Sequence, residues 1–120
     1  MKYPQDIRHK KRQRLLEEIF KMDFLKQKSS PRAKQIFTKK EELDENILKS
    51  APQFPIEKIN KVDLAILRLA FYEILFDKKE PPKVIVDEAI ELAKEYGGDT
   101  SPSFINGALG KVLDNLKIKN

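Results

Sequence analysis

The sequence predicts an all-α fold, and three observations predict it. Apolar residues recur every three to four positions through most of the chain, the spacing of one helix face. Residues that start and stop helices stand where that periodicity begins and ends. No stretch alternates apolar and polar residues between turn signals as a sheet requires. The 120 residues are 40% hydrophobic and 36% charged. They predict a single domain over 1–120, large enough to bury roughly two-thirds of its unfolded surface.

Leu15, Leu16, Ile19, Phe20 and Phe24 fall at helical spacing and predict a first helix over about residues 7–25. Its first two turns carry bases, which oppose the helix dipole, so those turns are expected to be loose until an anion binds. Residues 27–40 are polar around Ser29-Ser30-Pro31 and read as a loop or a weak helix. Leu43, Ile47 and Leu48 predict a short helix over residues 40–50 with these three positions inward. Pro52 and Pro55 punctuate it, and Pro55 opens one further turn carrying Ile56 and Ile59.

Asn60, with Asp63 three residues on, is the expected N-cap of a central helix burying Val62, Ile66, Leu69 and Ala70. Pro81 and Pro82 start another helix. Val84-Ile85-Val86 would suit a strand, but Ala89, Ile90, Ala93 and Tyr96 extend the helical period. Gly97-Gly98 is expected to stop this helix as a left-handed cap. Ser101-Pro102 then caps and opens the last helix, which buries Phe104 or Ile105 and then Ala108, Leu109, Val112 and Leu116.

Charge is unevenly placed. Residues 1–14 hold Lys2, Arg8, Lys10, Lys11, Arg12 and Arg14 against one acid, Asp6, and so carry the whole formal net charge of +5. A basic arm on a neutral body points to a polyanion; the plainer alternative is a solvated terminus. Without cysteine, the chain builds neither disulfides nor thiolate metal sites. No apolar run approaches the ~18 residues of a membrane span, and a cytoplasmic location is expected.

Enzymatic chemistry is not indicated. His9 is the only histidine, so no catalytic dyad or His-rich metal site follows from it; an exposed polar residue is expected there. No phosphate loop or dinucleotide fingerprint is present, and no cofactor is predicted. Asp87, Glu88, Glu91 and Glu95 form an acidic ridge on one helix, expected to be solvated or to touch a partner. Carboxylates do acid–base work only in a pocket that shifts one pKa.

Four pieces carry a family resemblance: Ile66-Leu67-Arg68-Leu69-Ala70-Phe71-Tyr72-Glu73, Pro81-Pro82-Lys83-Val84, Asp87-Glu88-Ala89-Ile90-Glu91-Leu92-Ala93-Lys94 and Phe104-Ile105-Asn106-Gly107-Ala108-Leu109. In order and spacing, over roughly residues 44–113, they resemble the NusB family of bacterial transcription antitermination factors. The resemblance implies a compact helical body of two packed halves. It implies a non-enzymatic protein that binds boxA-type RNA together with the ribosomal protein NusE, within the RNA polymerase antitermination complex, during ribosomal RNA synthesis.

The resemblance also implies site residues. RNA contacts fall on Arg8, Lys10, Lys11, Arg12 and Arg14 and on Phe104 and Asn106. Contacts to NusE fall on Tyr72, Glu73, Asp99 and Thr100. The chain departs from the family pattern in three places. About one helix is missing between Phe24 and Leu43, Ser103 stands where a base is frequent, and Thr100 stands where an acid is common. A scaffold that kept the body and changed its partner is the alternative reading. Phe104 either stacks on a base or packs in the core, and Asn106 either reads a base edge or caps a turn. Gly107 costs a helix about 1 kcal/mol relative to Ala, which predicts close approach of another backbone or a ligand.

Overall fold

The central helix organises the molecule because it is buried on every side. In the computed structural model, which describes residues 6–25 and 28–117, α4 spans Lys61–Tyr72 and every residue from Asp63 to Tyr72 is buried. A helix buried all round must be wrapped by others. Around it lie α1 (Ile7–Met22), α2 (Pro31–Phe37), α3 (Lys40–Ser50), α5 (Pro82–Tyr96) and α6 (Ser101–Asn115), and α5 packs along α6. No strand occurs among the described residues.

Local chemistry starts and stops these helices. Asp6 accepts the Arg8 N–H at 2.8 Å and opens α1. Ser30 accepts the Ala33 N–H at 3.1 Å, with Pro31 in the first turn, and so a true helix stands where a loop or weak helix is expected. This α2 also occupies the segment expected to lack a helix. It is tied to α1 by Glu18, which accepts both the N–H and the hydroxyl of Ser30. Asn60 caps α4 as predicted, accepting the Asp63 N–H at 2.9 Å. Pro55 opens a 3-10 turn at Ile56–Lys58, and Ile59 is buried behind it.

The stop after α5 differs from expectation. Gly97 is not left-handed: its φ of −93° and ψ of −169° are extended. Glycine is required there for space, because a Cβ would lie 2.4 Å from Ser101 Oγ and 2.8 Å from the Ala93 carbonyl oxygen. Ser101 is buried and accepts the Gly98 N–H at 3.0 Å. The residue preceding α6 is Thr100, whose side chain makes no capping bond.

Several apolar residues expected inside lie outside. Phe24 falls beyond the end of α1, Leu48 looks outward from α3, and Leu116 follows the end of α6; all three are exposed. Within α6 the choice between Phe104 and Ile105 falls to Ile105, which is fully buried, while Phe104 is half-buried.

Arg68 is buried in the middle of α4. It donates to both carboxylate oxygens of Asp44 on α3, at 2.8 and 2.9 Å, and to Asp23 just past α1, at 2.8 Å. Burial alone would lower its pKa, but hydrogen bonds and charge from Asp44 and Asp23 outweigh it and raise the pKa. One guanidinium thus closes α1, α3 and α4 into one unit. Breaking a buried pair strands the remaining charges and costs roughly 3–5 kcal/mol. Arg68→Met, which keeps length and removes charge, should therefore lower the urea midpoint sharply. A shift equivalent to less than about 1 kcal/mol would mean that the cluster is not structural.

Candidate nucleic-acid interface

The face of α1 that meets the body carries His9, Arg12, Leu16 and Ile19, all buried. Their spacing is that of one helical stripe. The stripe begins with two basic residues, which is unusual for a surface that enters a core. Each is met by carboxylates from the other side of the fold.

Arg12 donates to both oxygens of Glu73, at 2.9 and 2.7 Å, and also to Glu80. A third carboxylate, Glu88, lies 3.6 Å away. Burial would lower the Arg12 pKa, but Glu73 and Glu80 raise it, so Arg12 stays charged. Glu73 continues the helical backbone of α4, and beyond it the chain leaves through a π-helical turn, Glu73–Asp77, closed by Lys78 in the left-handed conformation.

His9 sits between two acids. Its Nδ1 is 2.8 Å from Glu88 Oε1 and its Nε2 is 2.9 Å from Glu95 Oε1. A neutral imidazole has one N–H, whereas two flanking carboxylates need two donors, so the geometry selects the imidazolium. Burial opposes that charge, and the two carboxylates overcome it; the net effect raises the His9 pKa.

The predicted site residues now divide. Arg8, Lys10, Lys11 and Arg14 are exposed on α1. Arg8 leans toward Asp6 and Glu80 at 3.7 and 3.5 Å. No carboxylate among the described residues pairs with Lys10, Lys11 or Arg14. Arg12 is a correction: its guanidinium is consumed by Glu73 and Glu80 and is not open to a phosphate. Lys2 and the rest of residues 1–5 of the predicted arm lie outside the described residues. The expectation of loose first turns is also corrected, since Asp6, His9 and Arg12 anchor them.

On the expected partner side, Asp99 and Thr100 are exposed. Tyr72 and Glu73 are not open as expected. The Tyr72 ring is buried beneath Phe76, 5.4 Å away, and the Arg32 guanidinium, 5.1 Å away. Glu73 is held by Arg12. The acidic ridge is not simply solvated either, since Glu88 is buried on His9 and Glu95 bonds its other nitrogen. Asn106 is exposed, and Phe104 meets Phe54 edge to face with ring centroids 5.1 Å apart. No backbone approaches Gly107, because a Cβ there would meet nothing within 4 Å.

Sequence reasoning missed His9 as a structural residue, and one signal points to it. Positions 9 and 12 continue the stripe of Leu16 and Ile19, so basic residues there require acids across the interface.

Residues 8–114 match the NusB family. Over 74 residues, 62% of this chain, the sequence is 53% identical to the transcription antitermination protein NusB of Clostridium botulinum strain Hall. Over 73 residues it is 51% identical to the protein of that name from Lachnoclostridium phytofermentans. These matches cover 52% and 55% of the relatives, so the chain spans about half the length of the curated relatives it matches. The fold resembles a solved structure of T. maritima NusB with a TM-score of 0.76 and 30% identity, over 95% of this chain and 93% of that one.

The His9 geometry predicts a pH signature. The folded pKa lies above the ordinary value near 6.5. The stabilisation is therefore full below that value and is lost as pH rises through the folded pKa. The melting-temperature advantage of the native chain over His9→Gln should be largest near pH 6 and shrink by about pH 9. A difference independent of pH would mean that the imidazole is neutral.

Proposed function

The chain belongs to the NusB family, and from that premise we propose that it is a non-enzymatic, RNA-binding transcription antitermination factor of the cytoplasm. It binds boxA-type single-stranded RNA together with the ribosomal protein NusE, during ribosomal RNA transcription. The observation that carries the reading is the division of charge on α1. Arg12 and His9 face inward to carboxylates, while Arg8, Lys10, Lys11 and Arg14 face solvent from the same helix.

A helix with Lys10, Lys11 and Arg14 on one exposed side and Arg8 on its flank suits a phosphate backbone, because the side chains are placed before the RNA arrives. Single-stranded RNA binders join such a stripe to aromatic rings that accept bases. Phe104, half-buried against Phe54, leaves part of its ring at the start of α6, with Asn106 exposed two residues on. For NusE, the exposed Asp99 and Thr100 remain candidate contacts. On the Tyr72–Glu73 side, a partner would meet Phe76, which is 36% exposed, before it met Tyr72.

The alternative is a scaffold whose acidic ridge, Asp87, Glu88, Glu91 and Glu95, and Tyr72–Glu73 face hold a basic protein. Glu73 and Glu88 are spent on Arg12 and His9 and Tyr72 is buried, which leaves such a partner only Asp87, Glu91 and the exposed side of Glu95 and makes that reading the weaker.

Four phosphate contacts on a single strand imply a slope of log K against log salt near −3, from ~0.7 for each contact. Changing Lys10, Lys11 and Arg14 to Ala should bring that slope to about −1 and leave the melting temperature almost unmoved, since all three are exposed. Salt-titrated fluorescence anisotropy with a boxA-like RNA measures it. A slope unchanged by the triple substitution would refute the assignment of α1 as the phosphate contact.

A further inference from the structure

Residues 28–40 hold five bases, Lys28, Arg32, Lys34, Lys39 and Lys40, and no acid. The structure divides them as it divides the bases of α1. Arg32 bonds Asp77 and lies over the Tyr72 ring, 5.1 Å from its centroid. Lys39 lies over the Phe76 ring at 5.2 Å and is 3.5 Å from Glu42. Lys40 lies over the Phe37 ring at 5.3 Å and is 3.7 Å from Asp23. These three are occupied within the fold. Lys28 and Lys34 are exposed, and no carboxylate among the described residues pairs with either. The same holds for Lys21 in the last turn of α1.

Their placement joins these lysines to α1. α2 packs on α1. Ser30 at its start bonds Glu18. Arg32 reaches Tyr72 and Asp77, in the stretch around Glu73, the partner of Arg12. α2 therefore runs back along α1, from the level of Glu18 toward that of Arg12. On α1 itself, Lys10, Arg14 and Lys21 are four and then seven residues apart, one outward line on a helix. Glu17 and Glu18 interrupt that line in sequence, but each is turned to a flank. Glu17 accepts from Tyr96 of α5, and Glu18 accepts from Ser30 at the cap of α2. Exposed positive charge thus continues from α1 across its junction with α2.

Separated lysines spread over two helices suit a repeating negative charge. Lysine is depleted where folded proteins dock on one another, whereas lysine and arginine supply many of the contacts to phosphate. We infer that Lys21, Lys28 and Lys34 form a second phosphate-binding surface, over which a single-stranded RNA held by α1 continues beyond the segment that α1 grips. The inference rests on the RNA-binding reading of α1 and adds to it the path and length of the bound strand. These lysines add affinity without reading bases.

The test uses the full chain and a boxA-like RNA, alone or with a short uridine tail at its 5′ or its 3′ end. Anisotropy titrations are run across a range of salt. One of the tailed RNAs should bind tighter than the short one. Its slope of log K against log salt should be steeper by about 2, from ~0.7 for each of three contacts. Its advantage should therefore shrink roughly 15-fold between about 50 and 200 mM salt. Lys21→Ala, Lys28→Ala and Lys34→Ala together should remove the advantage. They should leave binding of the short RNA and the melting temperature nearly unchanged, since all three residues are exposed. Lys21→Arg, Lys28→Arg and Lys34→Arg together should keep the advantage, because the charge is kept. Tails that add nothing at either end would overturn the surface and spare the RNA reading of α1. An advantage that survives the triple alanine substitution would place the tail elsewhere and overturn the surface too. Capture of an oligoglutamate peptide that the triple alanine substitution abolishes, beside tail-independent RNA binding, would assign the surface to an acidic protein instead. Failure to bind any of the RNAs would refute both proposals together.

Discussion

The buried guanidinium of Arg12 is the constraint on which the arrangement of this molecule depends. An unpaired charge in a low-dielectric interior costs several kcal/mol, so Arg12 tolerates one rotation of α1, the one that presents it to Glu73 and Glu80. That rotation puts Leu16 and Ile19 into the core and leaves Arg8, Lys10, Lys11 and Arg14 in water. Turning the helix by one residue would bury Lys11 or Gln13 in its place and separate Arg12 from its acids. The apolar half of the stripe favours the same rotation, so packing and electrostatics agree.

A second guanidinium does comparable work at the other end of α1. Arg68 reaches Asp23 past the last turn and Asp44 on α3. The helix is therefore pinned at both ends by buried arginines, one its own and one from α4. Between them, Tyr96 donates its hydroxyl to Glu17 at 2.8 Å and ties α1 to the end of α5. A cationic surface borne on a helix held this way loses little conformational entropy when it meets a polyanion. The π-helical turn after α4 belongs to the same device. It begins at Glu73 and, through Asp77 and Arg32, joins α2 to that end of the molecule.

Much of the fold was legible in the sequence because helix boundaries are local. Asn60 with Asp63, Pro55 and Pro82 each announce a start through their own backbone chemistry, and α3 falls at residues 40–50 as its spacing predicts. The segment before α3 has the polarity of a loop or weak helix, and that polarity masks the signal in Ser30-Pro31, which is itself a cap and first turn. Gly97 illustrates a different limit. A glycine after a helix suggests left-handed backbone, whereas here crowding by Ser101 and Ala93 demands it.

The candidate site was legible only in part. The concentration of bases near the N-terminus is a compositional fact, but which of them face inward depends on acids far along the chain. His9 and Glu88 are 79 residues apart, and Arg12 and Glu73 are 61 apart. No local pattern encodes those pairings. Arg12 therefore looked like one more phosphate contact, and Glu73 like a surface acid, although each is the reason the other can be buried. A double-mutant cycle on Arg12 and Glu73, read by urea unfolding, tests the central claim most directly. If the pair holds α1 in place, Arg12→Gln and Glu73→Gln should each be destabilising and should couple by about 1 kcal/mol or more; additive losses with no coupling would contradict it.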